Sequence, residues 1–168
     1  MTAVLEDGFR HHTWATRRLL ETCADLPDAQ LAAPVAGIYG TIRDTVRHMV
    51  GSDAWYLFVI TGGRVPRIDE ETMDLTSLRA AAERHAGEWH ALARSQPDPD
   101  DDVVAHHGDG AESHARMGIR LAQVLHHGTD HRSQVCTALT TLGIEPPDID
   151  VWAYGETVGR LGDGPLED

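Results

Sequence analysis

Eleven histidines stand in the 168 residues, at positions 11, 12, 48, 85, 90, 106, 107, 114, 126, 127 and 131. Roughly three would be ordinary for a chain of this length. Imidazole does two kinds of chemistry near neutral pH: it moves protons and it ligates borderline metal ions. The densest group is His126-His127-Gly128-Thr129-Asp130-His131. Residues four apart stack on one face of an α-helix, so His127 and His131 could share one ion. His126 lies about 140° around the helix from His131 and points elsewhere. Eleven histidines placed at random would also supply such a pair. The spacing alone therefore does not separate a metal site from two interior imidazoles bonded to their neighbours.

A catalytic zinc-type site takes three protein ligands and keeps a fourth position open. Two ligands on one helix need a third from a neighbouring element, and three histidines qualify. His48 lies on the row Thr41, Thr45, His48, Ser52, Trp55, where small polar side chains leave room for an ion and a substrate. His12 sits in the apolar stripe of the first predicted helix, and His85 in that of the third. His106, His107 and His114 fall on a predicted hairpin and are expected to be solvated. His11, His90 and His126 read as surface residues.

The elements that must position these groups are mainly helical. A first helix is predicted over about 3–24, with Leu5, Phe9, His12, Thr16, Leu19 and Cys23 at three- and four-residue steps. Leu26-Pro27 ends it. Thr41 with Asp44 three residues later is a variant of the capping box, and it opens a second helix along Ile42, Val46, Met49, Asp53, Tyr56 and Ile60. Gly62-Gly63 closes that helix. A third is predicted over about 76–95, with Leu78, Ala82, His85, Trp89 and Leu92 on one face. Residues 103–107 and 111–116, joined at Gly108-Asp109-Gly110, read as a small β-hairpin. A fourth helix follows over about 117–142, along Val124, Gly128, Val135, Ala138 and Leu142, so that the His127/His131 edge borders its core-facing stripe. A short fifth helix is expected over 150–161. Four long amphipathic helices imply an all-α four-helix bundle, one domain over 1–161 with an acidic tail over 162–168.

Composition narrows the function. The formal charge is −13, from 14 basic and 27 acidic residues, and every basic residue is arginine. No basic face is concentrated enough to hold a phosphate backbone, so neither nucleic acid nor an anionic membrane surface is an expected partner. The longest apolar run, residues 54–60, is far too short to span a bilayer. Glu6 and Asp7 interrupt any signal-peptide pattern. With only Cys23 and Cys136, the chain reads as cytoplasmic with reduced, structural thiols.

Several segments together resemble the DinB-like (DinB/YfiT) family of metal-binding four-helix-bundle proteins. They are His11, Trp14, Ala15, Arg18, Leu19 and Leu20; Thr41-Ile42-Arg43-Asp44-Thr45-Val46-Arg47-His48 followed by Trp55-Tyr56-Leu57; His127-Gly128-Thr129-Asp130-His131-Arg132-Ser133-Gln134; then Leu142-Gly143 and Pro146-Pro147. The resemblance spans nearly the whole chain, with Ser133 standing where the family often has glycine. It implies an up-down-down-up bundle and one divalent metal held by one histidine of the second helix and two of the fourth. Carried onto this sequence, those are His48, His127 and His131, which selects His48 over His12.

Zinc and nickel are the ions expected of such a set. Three neutral imidazoles leave the ion its full charge, so a bound water or thiol is strongly acidified. Relatives resemble thiol S-transferases and isomerases that use low-molecular-weight thiols such as mycothiol or bacillithiol. A reaction of that type on a small-molecule substrate is therefore expected, in a homodimer. The alternatives are a metal-dependent hydrolase and a non-catalytic stress-response bundle that binds metal or ligand. Asp44 and Asp130 are candidates to orient the ligating imidazoles, Arg132 is a candidate substrate contact, and Trp14, Trp55 and Tyr56 are candidate pocket walls.

Overall fold

The computed structural model describes residues 2–162 and 164. Most of the expected tail, residues 162–168, lies outside the described residues. The described elements run α1 (Thr2–Ala24), α2 (Asp28–Leu31), α3 (Ile42–Ile60), α4 (Leu75–Ser95), β1 (Asp102–His106), β2 (Glu112–Arg116), α5 (Met117–Thr141) and α6 (Val151–Thr157). The four long helices α1, α3, α4 and α5 form a bundle, and the strands pair as one antiparallel hairpin.

Local chemistry fixes the helix ends. Thr41 caps α3 by accepting from the Asp44 backbone N–H at 3.2 Å, while Asp44 Oδ2 accepts from the Thr41 backbone N–H at 3.0 Å. Gly62 and Gly63 take positive φ after α3, and the Gly63 N–H returns to the Phe58 carbonyl at 2.8 Å. Asp74 caps α4 and Asp150 caps α6, each accepting a backbone N–H at 2.8 Å. The last helix ends sooner than its predicted limit at 161, because Gly159 at φ 69° closes it and the Arg160 N–H bonds back to Gly155. The single turn α2 follows Pro27 and is too short to leave a periodic signal in the sequence. The hairpin pairs Asp102 with Arg116 and His106 with Glu112. Buried Arg120 at the start of α5 fastens it, donating to the carbonyls of Val103 at 2.9 Å and Ser113 at 3.1 Å.

Pairs of residues fix how the helices lie side by side. Phe9 stacks on Trp89 at 4.9 Å and Glu21 meets Arg79 at 4.0 Å, which aligns α1 with α4. His48 meets His127 at 3.2 Å and Tyr56 meets Gln123 at 3.2 Å, which aligns α3 with α5. His12 meets Arg132 at 3.1 Å, which brings α1 against α5.

The interior has three layers. At one end Leu19, Leu20, Ile42, Val46, Leu78 and Leu139 form an apolar cluster. At the other, Phe9, Leu57, Trp89, Leu121 and Val124 form a second. Between them each of the four long helices carries a buried polar residue: His12 and Thr16 on α1, Asp53 on α3, His85 on α4, and His131 and Arg132 on α5. Among the described residues no helix is long and apolar enough to cross a membrane.

Candidate metal centre

His48 projects from α3, and His127 and His131 from successive turns of α5, at the edge of the polar layer. One ring nitrogen of each lies within 4.8 Å of the others. Ring centroids are 5.1 Å apart for His48 and His127, 4.7 Å for His48 and His131, and 4.4 Å for His127 and His131. The Nε2 atoms of His48 and His127 face each other at 3.2 Å. A tetrahedral ion with nitrogens at about 2.0–2.1 Å sets them about 3.3–3.4 Å apart. One pair already has that spacing, and the third nitrogen lies within 4.8 Å of both.

Burial and proximity favour the neutral form of His48 and His127. Desolvation, and then the neighbouring His131 and His48, push His127 down to about 4. His48 is lowered by desolvation and by His131. Neutral imidazole with a free lone pair is the form that binds metal.

Side chains around the cluster set the ring orientations. Gln134 Oε1 lies 3.1 Å from His131 Nδ1 and accepts from the Tyr39 backbone N–H at 3.0 Å. An amide oxygen can only accept, so His131 carries its proton on Nδ1 and presents Nε2 to the cluster. The Tyr39 ring stacks on His48 at 4.3 Å, with 20° between planes. Its loop is anchored by Thr45 Oγ1, which donates to the Tyr39 carbonyl at 2.8 Å, and turns on Gly37 and Gly40, both at positive φ. On the other side the Tyr56 ring meets His127 edge-on at 5.8 Å, and its hydroxyl accepts from Gln123 at 3.2 Å.

A cavity of about 350 Å³ opens at His48, lined also by Tyr39, Asp44, Arg47, Glu70 and Glu71. Glu70 reaches it by lying across Gly51, where a Cβ would come 2.5 Å from the Glu70 carboxyl carbon. The Glu70 charge acts on His48.

The other candidates lie elsewhere. His12 is buried and turned to Asp53, with Nε2 3.0 Å from Oδ2. His85 is buried in the polar layer. Arg132 is only 3% exposed, and its guanidinium is held by His12, Thr16 and Thr129 at 3.1 Å each, so it faces the interior rather than the cavity wall. Asp44 is the α3 capping residue at the cavity rim, and Asp130 is exposed. Trp14 packs on Tyr154 at 5.5 Å, and Trp55 on Tyr56 at 5.2 Å. His11 and His90 are half-buried rather than on the surface, bonded to the Ile149 carbonyl at 2.8 Å and to Thr13 at 2.9 Å. His106 and His114 are exposed and paired with Glu112 and Asp102. Both thiols are free, and burial pushes Cys23 up to about 12.

Sequence reasoning missed Tyr39 and Gln134. Tyr39 had a faint signal, an aromatic between two glycines just before a helix cap. Gln134 falls within the segment 127–134, three residues after His131 and therefore on its face of the helix.

The DinB family model matches residues 1–160. The chain belongs to the DinB family. Its fold is similar to that of YfiT from Bacillus subtilis, described as a probable metal-dependent hydrolase with an unusual four-helix bundle topology. The TM-score is 0.60 at 18% identity, over 82% of this chain and 87% of that one. None of the curated proteins compared matches this DinB-family chain.

Proposed function

We propose that the chain is a metal-dependent hydrolase that holds one divalent ion on His48, His127 and His131. The observation that carries this reading is the convergence of three imidazoles, with ligand atoms within 4.8 Å of one another, one of which, His48, lines a cavity rich in carboxylates. A divalent ion on such a set supplies Lewis acidity that makes water a nucleophile near neutral pH. Imidazole ligands suit zinc, nickel, copper and iron, and we take zinc or nickel as the ion of this site.

The chain's own residues divide the remaining work. Gln134 and Tyr39 hold His131 and His48 in place. Glu70, whose charge already acts on His48, is the carboxylate placed to take a proton from water in the cavity. Arg47 is the cation of the same wall, its Nε held by the Met73 carbonyl at 3.0 Å, and it suits an anionic group on the substrate. The description of YfiT as a probable metal-dependent hydrolase accords with this reading. We further read the bundle as up-down-down-up. The pairings of Phe9 with Trp89, His48 with His127 and His12 with Arg132 support that order.

The test is turnover of chromogenic esters and amides by zinc- or nickel-loaded protein, with and without mycothiol. The expected result is turnover without thiol that His48→Ala removes. Turnover only when thiol is present would replace hydrolysis by thiol transfer, and none under either condition would overturn the enzymatic reading.

A further inference from the structure

Two buried polar atoms beside the histidine cluster have no hydrogen-bond partner among the described residues: Asp53 Oδ1 and His127 Nδ1. They are chemically complementary. A histidine that offers Nε2 to a metal carries its proton on Nδ1, and that proton needs an acceptor. A buried carboxylate oxygen without a donor is costly and needs one.

The remainder of Asp53 is held by a chain of bonds across the bundle. Arg132 can only donate, so its Nη1, 3.1 Å from His12 Nδ1, fixes the lone pair of His12 on that nitrogen. His12 Nε2 therefore carries the hydrogen and donates to Asp53 Oδ2 at 3.0 Å. Arginine stays cationic in proteins, and Thr16 and Thr129 accept further protons of Arg132. The result is a buried cation and a buried anion joined through a neutral imidazole. Gly128, next to His127, makes the approach possible: a Cβ there would run into the His12 ring. The Asp53 charge acts on both His127 and His85, and His85 Nδ1 also lacks a partner among the described residues.

We propose that Asp53 is the positioning carboxylate of the histidine cluster, its Oδ1 accepting the Nδ1 proton of His127 through one buried water, with Arg132 and His12 holding it in place. Asp53 touches neither metal nor substrate in this arrangement. It sets the tautomer of His127 and so aims Nε2 at the ion. A buried water with two to four polar partners is an ordinary interior component, and Asp53, His127 and His85 supply three.

This inference rests on the metal reading for its purpose, but the tautomer can be read without metal. The experiment is 15N-resolved imidazole spectroscopy of the metal-stripped protein, with the His127 signals assigned by their loss in His127→Gln. Zinc affinity is measured alongside, by chelator competition, in the wild type and Asp53→Asn. The expected results are Nδ1-protonated His127 in the wild type, a mixture of tautomers in Asp53→Asn, and a zinc affinity about 10–100-fold weaker in the variant. A wild-type His127 protonated on Nε2 overturns the proposal, and so does an Asp53→Asn protein unchanged in either measurement. Should that variant not fold, the wild-type tautomer decides alone. A wild type that retains no zinc, yet shows the Asp53-dependent tautomer, overturns the metal reading and leaves the role of Asp53 standing.

Discussion

The two apolar layers of the interior and the polar layer between them are held together by different physics. Leu19, Ile42, Leu78 and Leu139 at one end, and Phe9, Leu57 and Trp89 at the other, need only fit and exclude water. Each such side chain contributes about 1.5–3 kcal/mol on burial, with little demand on direction. In the middle, His12, Asp53 and Arg132 lose their hydration and recover it only through particular partners. His131 belongs to this layer and His127 borders it, and Gln134 and Tyr39 extend the polar contacts to the cavity rim. The polar layer thus trades general stability for a fixed orientation of imidazoles, which a metal site requires and an apolar core does not.

The strongest test of this contrast removes the anion. Asp53→Ala leaves Arg132 buried without a counter-charge, and a loss of about 3–5 kcal/mol is expected in urea unfolding. Adding Arg132→Met should return part of that loss, because the orphaned cation goes with it. A double variant whose loss is the plain sum of the two would show that the residues are not coupled. Leu139→Ala in the apolar layer should cost about 3 kcal/mol, and Arg132→Met should not relieve it.

Acid separates the layers more gently. His127, His85 and His48 all sit below the ordinary imidazole value, with burial the foremost cause. Above pH 6.5 they are neutral folded or unfolded and have no effect. Below it the unfolded chain takes up protons that the folded chain refuses, so stability falls as pH drops through the window from 6.5 to about 4, the value of His127. Asp53 acts in a lower window. Its carboxyl is held below its usual 3.8 by the neighbouring His12, against the opposing effect of burial. Its contribution is therefore intact above 3.8 and is lost only as pH falls from there toward its lowered value. Unfolding midpoints measured at pH 7.5 and 5 should differ, and equal midpoints would break the contrast. The smallest effect on stability belongs to the rim. Gln134→Ala is expected to weaken zinc affinity about 10–100-fold by chelator competition while changing stability by less than about 1 kcal/mol.

Much of this layering stands in the sequence in a form that one chain cannot decode. The helices, the Thr41–Asp44 cap and the hairpin follow from local periodicity and turn chemistry, which act within a few residues. His12, Asp53 and His85 each interrupt an apolar stripe at mid-helix, so the presence of interior polar groups is visible. That the interruptions fall at one level, and that Asp53 meets His12 from 41 positions away, depends on helix register and crossing, which no local pattern encodes. The same holds for the cluster. The four-residue step between His127 and His131 is local, whereas the choice of His48 over His12 came from the resemblance, and the structure brings His48 to them. Tyr39 lies on an irregular loop with no period to reveal its direction, and Asp44 and Asp130, the carboxylates nearest in sequence, are spent on a cap and on solvent.

The measurement that bears most directly on the account is elemental analysis of untagged protein after loading with zinc or nickel and desalting, for the wild type and for His48→Ala. The account predicts about one equivalent of metal in the wild type and almost none in the variant. A wild type that retains no metal, or a His48→Ala protein that retains as much, would contradict it.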